Sequence, residues 1–172
     1  MKKGLSFLLI TLLLASAFST YSWWQCKEKN KEMLKDTYTK FEINRWELEH
    51  IGASFEYLLQ NNASNEVIFL YAVNYRDHVY VVKNLFEFLW SHSKDEREKF
   101  WKLRVAMSNL EVFLNSAAFK PHEERKMMLS ENVETLKQFD ILFKELNKYR
   151  DPFDIPDELA EKAFNLSKQL KW

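Results

Sequence analysis

Residues 4–24, GLSFLLITLLLASAFSTYSWW, carry no charge. A stretch that apolar at the head of a chain fits poorly on the surface of a water-facing domain. As a helix it is about 32 Å long at 1.5 Å per residue, close to one hydrocarbon core. Lys2 and Lys3 precede it, and Tyr21, Trp23 and Trp24 close it where interfacial aromatics sit. Two readings follow. As an uncleaved anchor, the segment places Tyr21, Trp23 and Trp24 at the membrane interface, with rings in the headgroup layer and N–H or O–H groups wet. As a signal peptide, Lys2 and Lys3 form the n-region, 5–14 the h-region, and Ala15-Ser16-Ala17 an A-x-A cleavage site. A lipoprotein signal does not fit, because Cys26 follows Trp24-Gln25 rather than small residues. The Lys2–Lys3 start favours export of the body. Lys27, Lys29, Lys31 and Lys35 pull the other way under the positive-inside rule. The expected location is therefore a single-pass cell-membrane protein with an extracytoplasmic body. The alternative is a secreted or periplasmic protein cleaved near Ala17.

The remainder, 25–172, is long enough for one domain with a sizeable core. Only Gly4 and Gly52 are glycines, and only Pro121, Pro152 and Pro156 are prolines. Sheets with tight hairpins need such turn residues, so long helices with few connections are the natural alternative. The expected fold is all-α: an N-terminal transmembrane or signal helix over 1–24, then an up-and-down bundle of about five helices over 25–172. Basic and acidic residues balance at 25 each, which gives no nucleic-acid footprint. Aromatics make up 16% of the chain, enough to fill a core and to leave some for an exposed patch. Cys26 is the only cysteine, so no internal disulfide can form. It could bridge two chains or carry an acyl group beside the membrane.

Apolar residues at threes, fours and sevens predict a helix over 25–60, through Leu34, Phe41, Leu48, Ile51, Phe55 and Leu58. Asn44 and Arg45 interrupt that stripe. Asn61-Asn62-Ala63-Ser64-Asn65 ends the helix with residues that favour turns. Over 66–91 the β-branched content raises a strand alternative. Period-2 alternation fails through 67–73, whereas a helical period gathers Ile68, Ala72, Tyr75, Val79, Val82, Leu85, Phe86 and Leu89 on one broad arc with Val67, Tyr71 and Trp90. This helix is expected at the centre of the bundle. Ser93-Lys94-Asp95-Glu96 reads as a capping box for a third helix. That helix ends at Phe119-Lys120-Pro121, since the residue before proline avoids the helical region. Pro121 opens a fourth helix with a stripe of Leu129, Val133, Leu136, Phe139, Phe143 and Leu146, and Leu129-Ser130 is a candidate joint. Asp154 is expected to cap a last helix, with Pro156 in its first turn and Leu159, Ala163, Leu166 and Leu170 inward.

Nothing in the spacing matches G-x-S-x-G, a P-loop or H-E-x-x-H, so no enzymatic activity and no cofactor are expected. Glu47-Leu48-Glu49-His50 holds one Glu-x-x-His, whereas di-iron bundles use two plus two further carboxylates. His78 falls within the apolar arc of the 66–91 helix. It is a core histidine with one partner, or a ligand or pH-responsive contact. Asn62-Ala63-Ser64 and Asn165-Leu166-Ser167 fit the glycosylation pattern, which matters only in a eukaryotic secretory pathway. The expected function is a non-catalytic, membrane-anchored binding or scaffold protein that holds or regulates a protein partner at the cell envelope. Lipid is contacted through residues 4–24. The alternative is a helical sensor or small-ligand-binding domain, and a metal bundle or enzyme ranks behind both.

Overall fold

A computed structural model describes the backbone of residues 2–172 and the side chains from Ile10 onward. Among these residues every regular element is helical: α1 (Lys2–Lys40), α2 (Glu42–Glu47), α3 (Ile51–Gln60), α4 (Asn65–His92), α5 (Arg97–Phe119), α6 (His122–Leu146) and α7 (Asp157–Ser167). Two 3-10 turns, Leu48–His50 and Pro152–Asp154, complete the order. The all-α expectation holds. The chain divides into two compact units, one ending at Asp36 and the other spanning Thr37–Trp172.

In the first unit every residue from position 10 to 21 is exposed, whichever side of α1 it occupies. The Thr20 hydroxyl donates to the Ser16 carbonyl one turn back (2.9 Å), which satisfies a polar group without outside help. Among the described residues no helix is long and apolar enough to cross a membrane. The described side chains begin at Ile10, so the expected span over 4–24 lies partly outside them.

The second unit breaks the single helix expected over 25–60. Phe41 leaves helical geometry (φ −101°, ψ 18°), and so does His50 (φ −128°, ψ 12°). The second break frees the first amides of α3, and a distant carboxylate takes them. Asp140 of α6 accepts from Gly52 N (2.7 Å) and Ala53 N (2.9 Å). Gly52 permits this approach. A Cβ there would fall on the Lys137 backbone nitrogen and 2.5 Å from the Leu136 carbonyl carbon. Helix α3 thus lies backbone-to-backbone on α6, a separation only glycine tolerates.

The closest helix pairs are α4 with α5, α3 with α6, and α5 with α7. The short link over 93–96 makes α4 and α5 the hairpin that chain order suggests. The other two pairs join helices distant in sequence. Helix α6 packs against α2, α3, α5 and α7, and α4, expected at the centre, packs against α2, α3 and α5. The core is filled with rings: Tyr38, Phe55, Phe86, Phe100, Phe113, Phe139 and Phe143 are fully buried. The stripe that helical period places on α5 (Phe100, Leu103, Met107, Leu110, Leu114 and Ala117) and the one predicted at the last helix are buried throughout, as is that of α6 apart from half-buried Val133. Asn132 takes the neighbouring buried position. It donates to Met128 O (2.8 Å) and Lys171 O (3.0 Å) and accepts from Lys171 N (2.8 Å), which ties down the C-terminal segment. No joint interrupts α6 at Leu129-Ser130.

Three caps differ from expectation. Ser93 Oγ accepts from Glu96 N (3.3 Å), but the Glu96 carboxylate pairs with buried Lys99 (2.9 Å) instead of reaching back, so the box is half made. Pro121 and Pro156 stand at the N-cap positions of α6 and α7, one residue before the first turn. Asp151, not Asp154, is the capping aspartate: it accepts from Phe153 N (3.0 Å) and starts the 3-10 turn in which Asp154 lies.

Arg45 fills a seam position rather than interrupting one. It is 2% exposed, stacks 3.6 Å over the Tyr38 ring, and donates to Tyr38 O (2.6 Å) and Asn147 Oδ1 (3.2 Å). Burial pushes the Tyr38 phenol up to about 12, against the lowering effect of Arg45. Arg125 is buried where α5 ends. It donates to the carbonyls of Ala117 (2.8 Å), Ala118 (2.6 Å) and Lys120 (3.0 Å), and also to Asn65 Oδ1. One guanidinium thereby satisfies the orphan carbonyls of one helix and grips the start of another.

Candidate functional site

The break before α3 opens a cleft of about 290 Å³ lined by His50, Ala53, Ser54, Tyr57, Leu58 and Tyr71. Ile51, Phe55 and Leu58 face the core, which turns Ala53, Ser54 and Tyr57 outward on α3. On α4, Ile68, Ala72 and Tyr75 are buried, whereas Val67 and Tyr71 at the edge of the same arc stay exposed. The apolar arc is wider here than the surface that covers it, and Tyr71 overhangs the cleft.

A hydrogen-bonded floor lies beneath. Tyr75 OH donates to the His50 carbonyl (3.3 Å) and lies 2.7 Å from Ser54 Oγ. Burial raises the Tyr75 phenol above its ordinary range. The Ser54 bond opposes this, and the nearby Asp140 and Glu47 charges add to it. Burial likewise holds the Asp140 carboxyl above its usual value, outweighing the Gly52 and Ala53 amides and the smaller pull of Lys144 and His50. His50, Ser54, Tyr57 and Tyr71 thus line the cleft, Tyr75 floors it through Ser54 and His50, and Asp140 caps α3 from α6. The arrangement can bind a ligand with an apolar body and a polar head.

The residues singled out by sequence are scattered relative to this cleft. His78 is half-buried with Nδ1 3.1 Å from Asn44 Oδ1, and it does not line the cleft. It has the single partner expected of a core histidine, though its burial is partial. The Glu47–His50 pair of the Glu-x-x-His spacing is exposed at both residues: Glu47 closes α2, and His50 ends the following 3-10 turn and faces the cleft, while Glu49 Oε1 between them accepts from Asn147 (2.6 Å). Among the described residues no group of three or more His, Cys, Asp or Glu could hold a metal ion. Tyr21, Trp23 and Trp24 are exposed on α1. Gln25 donates to Tyr21 OH (2.8 Å), and the Lys27 ammonium sits 5.9 Å from the Trp23 ring. Cys26 is exposed. Asn62 is exposed in the loop before α4 with φ 49°, whereas Asn165 lies within α7 with its Ser167 buried.

Sequence reasoning missed Ser54, Tyr57 and Asp140 altogether, and treated Tyr71 as core. Gly52 carried a signal, because a lone glycine inside a helical pattern marks a close backbone approach. Nothing local indicated that Asp140 would supply the carboxylate. Compared with protein-family models, curated proteins and solved structures, the chain has no match.

Proposed function

We propose that this chain is a membrane-anchored binding protein: residues 4–24 lie in a bilayer, and the helical body holds a protein partner at the cell envelope. One observation carries the reading. Ile10, Leu12, Leu13, Leu14 and Phe18 are each more than half exposed, and nothing within their own unit covers any side of the helix there. An uncharged helix with large apolar side chains exposed on several sides is best accommodated by an apolar surround. Tyr21, Trp23 and Trp24, followed by Lys27, have the order of a lipid interface. On the body, exposed Tyr57, Val67, Leu70 and Tyr71 support a binding role. The body is taken to face the extracytoplasmic side; release after cleavage near Ala17 is the alternative.

The test is membrane partition of the full chain under alkaline wash. The wild type stays with the membrane, and N-terminal sequencing finds Met1. The double variant Leu13→Lys with Leu14→Lys moves to the soluble fraction with its helical content intact. Each lysine costs roughly 3 kcal/mol near the centre of a span. A wild-type chain that is full-length and already soluble overturns the anchor. A chain that starts near Phe18 selects the cleaved form.

A further inference from the structure

The cleft beside α3 has a sign, which follows from how its protons and charges are committed. Tyr75 has one hydroxyl proton. If it goes to the His50 carbonyl, the 2.7 Å contact with Ser54 requires that Ser54 donate to Tyr75. Both bonds exist together only in that arrangement. Ser54 then offers nothing but oxygen lone pairs to an incoming group.

Charge points the same way. The first turn of a helix ordinarily attracts anions. Here that place is taken, because Asp140 already holds the amides of Gly52 and Ala53. An external anion would find those donors engaged by the Asp140 carboxylate. Glu47 adds a second negative charge near Tyr75. Lys137, the cation next to the Gly52 contact, is tied to Glu56 (3.1 Å) and Glu134 (3.4 Å). Tyr57 and Tyr71 supply aromatic surface at the cleft, 65% and 42% exposed. Aromatic faces attract cations and stack on rings. At about 290 Å³ the space is at the small end of ligand sites.

We propose that the cleft between α3 and α4 binds a small arylalkyl amine, with the primary ammonium donating to Ser54 Oγ and the aryl group against Tyr57 and Tyr71. The site belongs to the body alone and does not depend on where α1 resides. It goes beyond the anchoring role by giving the body a ligand of defined charge.

The test is titration of the full chain with phenethylamine and, in parallel, phenylacetate, which keeps the ring and reverses the charge. Binding is read by calorimetry and by ligand-observed NMR. Phenethylamine should saturate with a Kd below about 1 mM, and phenylacetate should bind at least tenfold more weakly. Tyr57→Leu and Tyr71→Leu alter exposed side chains, so the fold survives, as circular dichroism verifies. Each should weaken the amine about tenfold. Ser54→Ala should reduce the preference of amine over carboxylate. Equal or tighter phenylacetate binding, no saturation by the amine, or an amine affinity unmoved in both tyrosine variants overturns the proposal. None of these outcomes bears on lipid partition, which is measured separately.

Discussion

Replacing Gly52 by alanine gives opposite signs under two accounts of the helix it begins. If Gly52 were an ordinary helix residue, alanine would add stability, about 0.8–1.0 kcal/mol from propensity alone. The structure predicts the reverse. The added Cβ would stand 2.5 Å from both the Leu136 carbonyl carbon and the Lys137 Cα, where ordinary contact needs about 3.5–4.0 Å. Backbone atoms cannot rotate away as a flexible side chain could, so α3 and α6 must separate by about 1 Å or more. Overpacking of this kind costs about 1–3 kcal/mol. The same separation stretches the bonds from Gly52 N and Ala53 N to Asp140, and losing a bond to a charged group costs about 1.5–3 kcal/mol. Set against the propensity gain, the net expectation is a loss of roughly 2–4 kcal/mol. For a body of this size each kcal/mol moves the midpoint by about 2–4 °C, so Tm should fall by roughly 5–15 °C. Thermal melting of wild type and Gly52→Ala, followed by circular dichroism at 222 nm, measures it. An unchanged or raised Tm refutes the close approach of α3 and α6.

Asp140→Asn tests the same joint through pH. The Asp140 carboxyl is held above its ordinary value by burial. An acid raised on folding contributes stability that is complete below the unfolded pKa and is lost as pH climbs through the folded one. The advantage of wild type over Asp140→Asn should therefore be largest near pH 3.5 and shrink above it. Urea titrations in which that gap widens with pH would contradict the assignment. Arg125→Lys keeps the charge but cannot reach the carbonyls of Ala117, Ala118 and Lys120 together. It should lower the urea-derived stability by about 2–3 kcal/mol, and an effect under about 0.5 kcal/mol would show that the α5–α6 corner does not rely on this residue.

Much of the helical layout was legible because its causes are local. Both ends of α4, the end of α5 and the start of α6 lie within a residue or two of where turn chemistry puts them: Asn61–Asn65, Ser93, and Lys120-Pro121. Ser64, within the predicted turn, caps α4 through Val67 N (3.4 Å). The stripes of α5 and α7 needed only a 3.6-residue period. The cleft was less legible. Val67 and Tyr71 carry the same apolar pattern as buried Ala72 and Tyr75, and period alone does not say how far a neighbouring helix extends to cover an arc. Arg45 looked like a break in a seam, because a sequence does not reveal that Tyr38 and Asn147 will partner a buried guanidinium.

The sequence by itself determined that this chain is helical, where α3, α4 and α5 stop, and that its opening segment carries no charge over 4–24. Those properties depend on residues within a turn or two of each other. Tertiary structure alone decided that α3 begins at Ile51, that Gly52 touches α6, and that Asp140, 88 residues away, replaces a local cap. A buried backbone amide must find an acceptor somewhere. Which side chain reaches it depends on the packing of whole helices, and no short window of sequence contains that information.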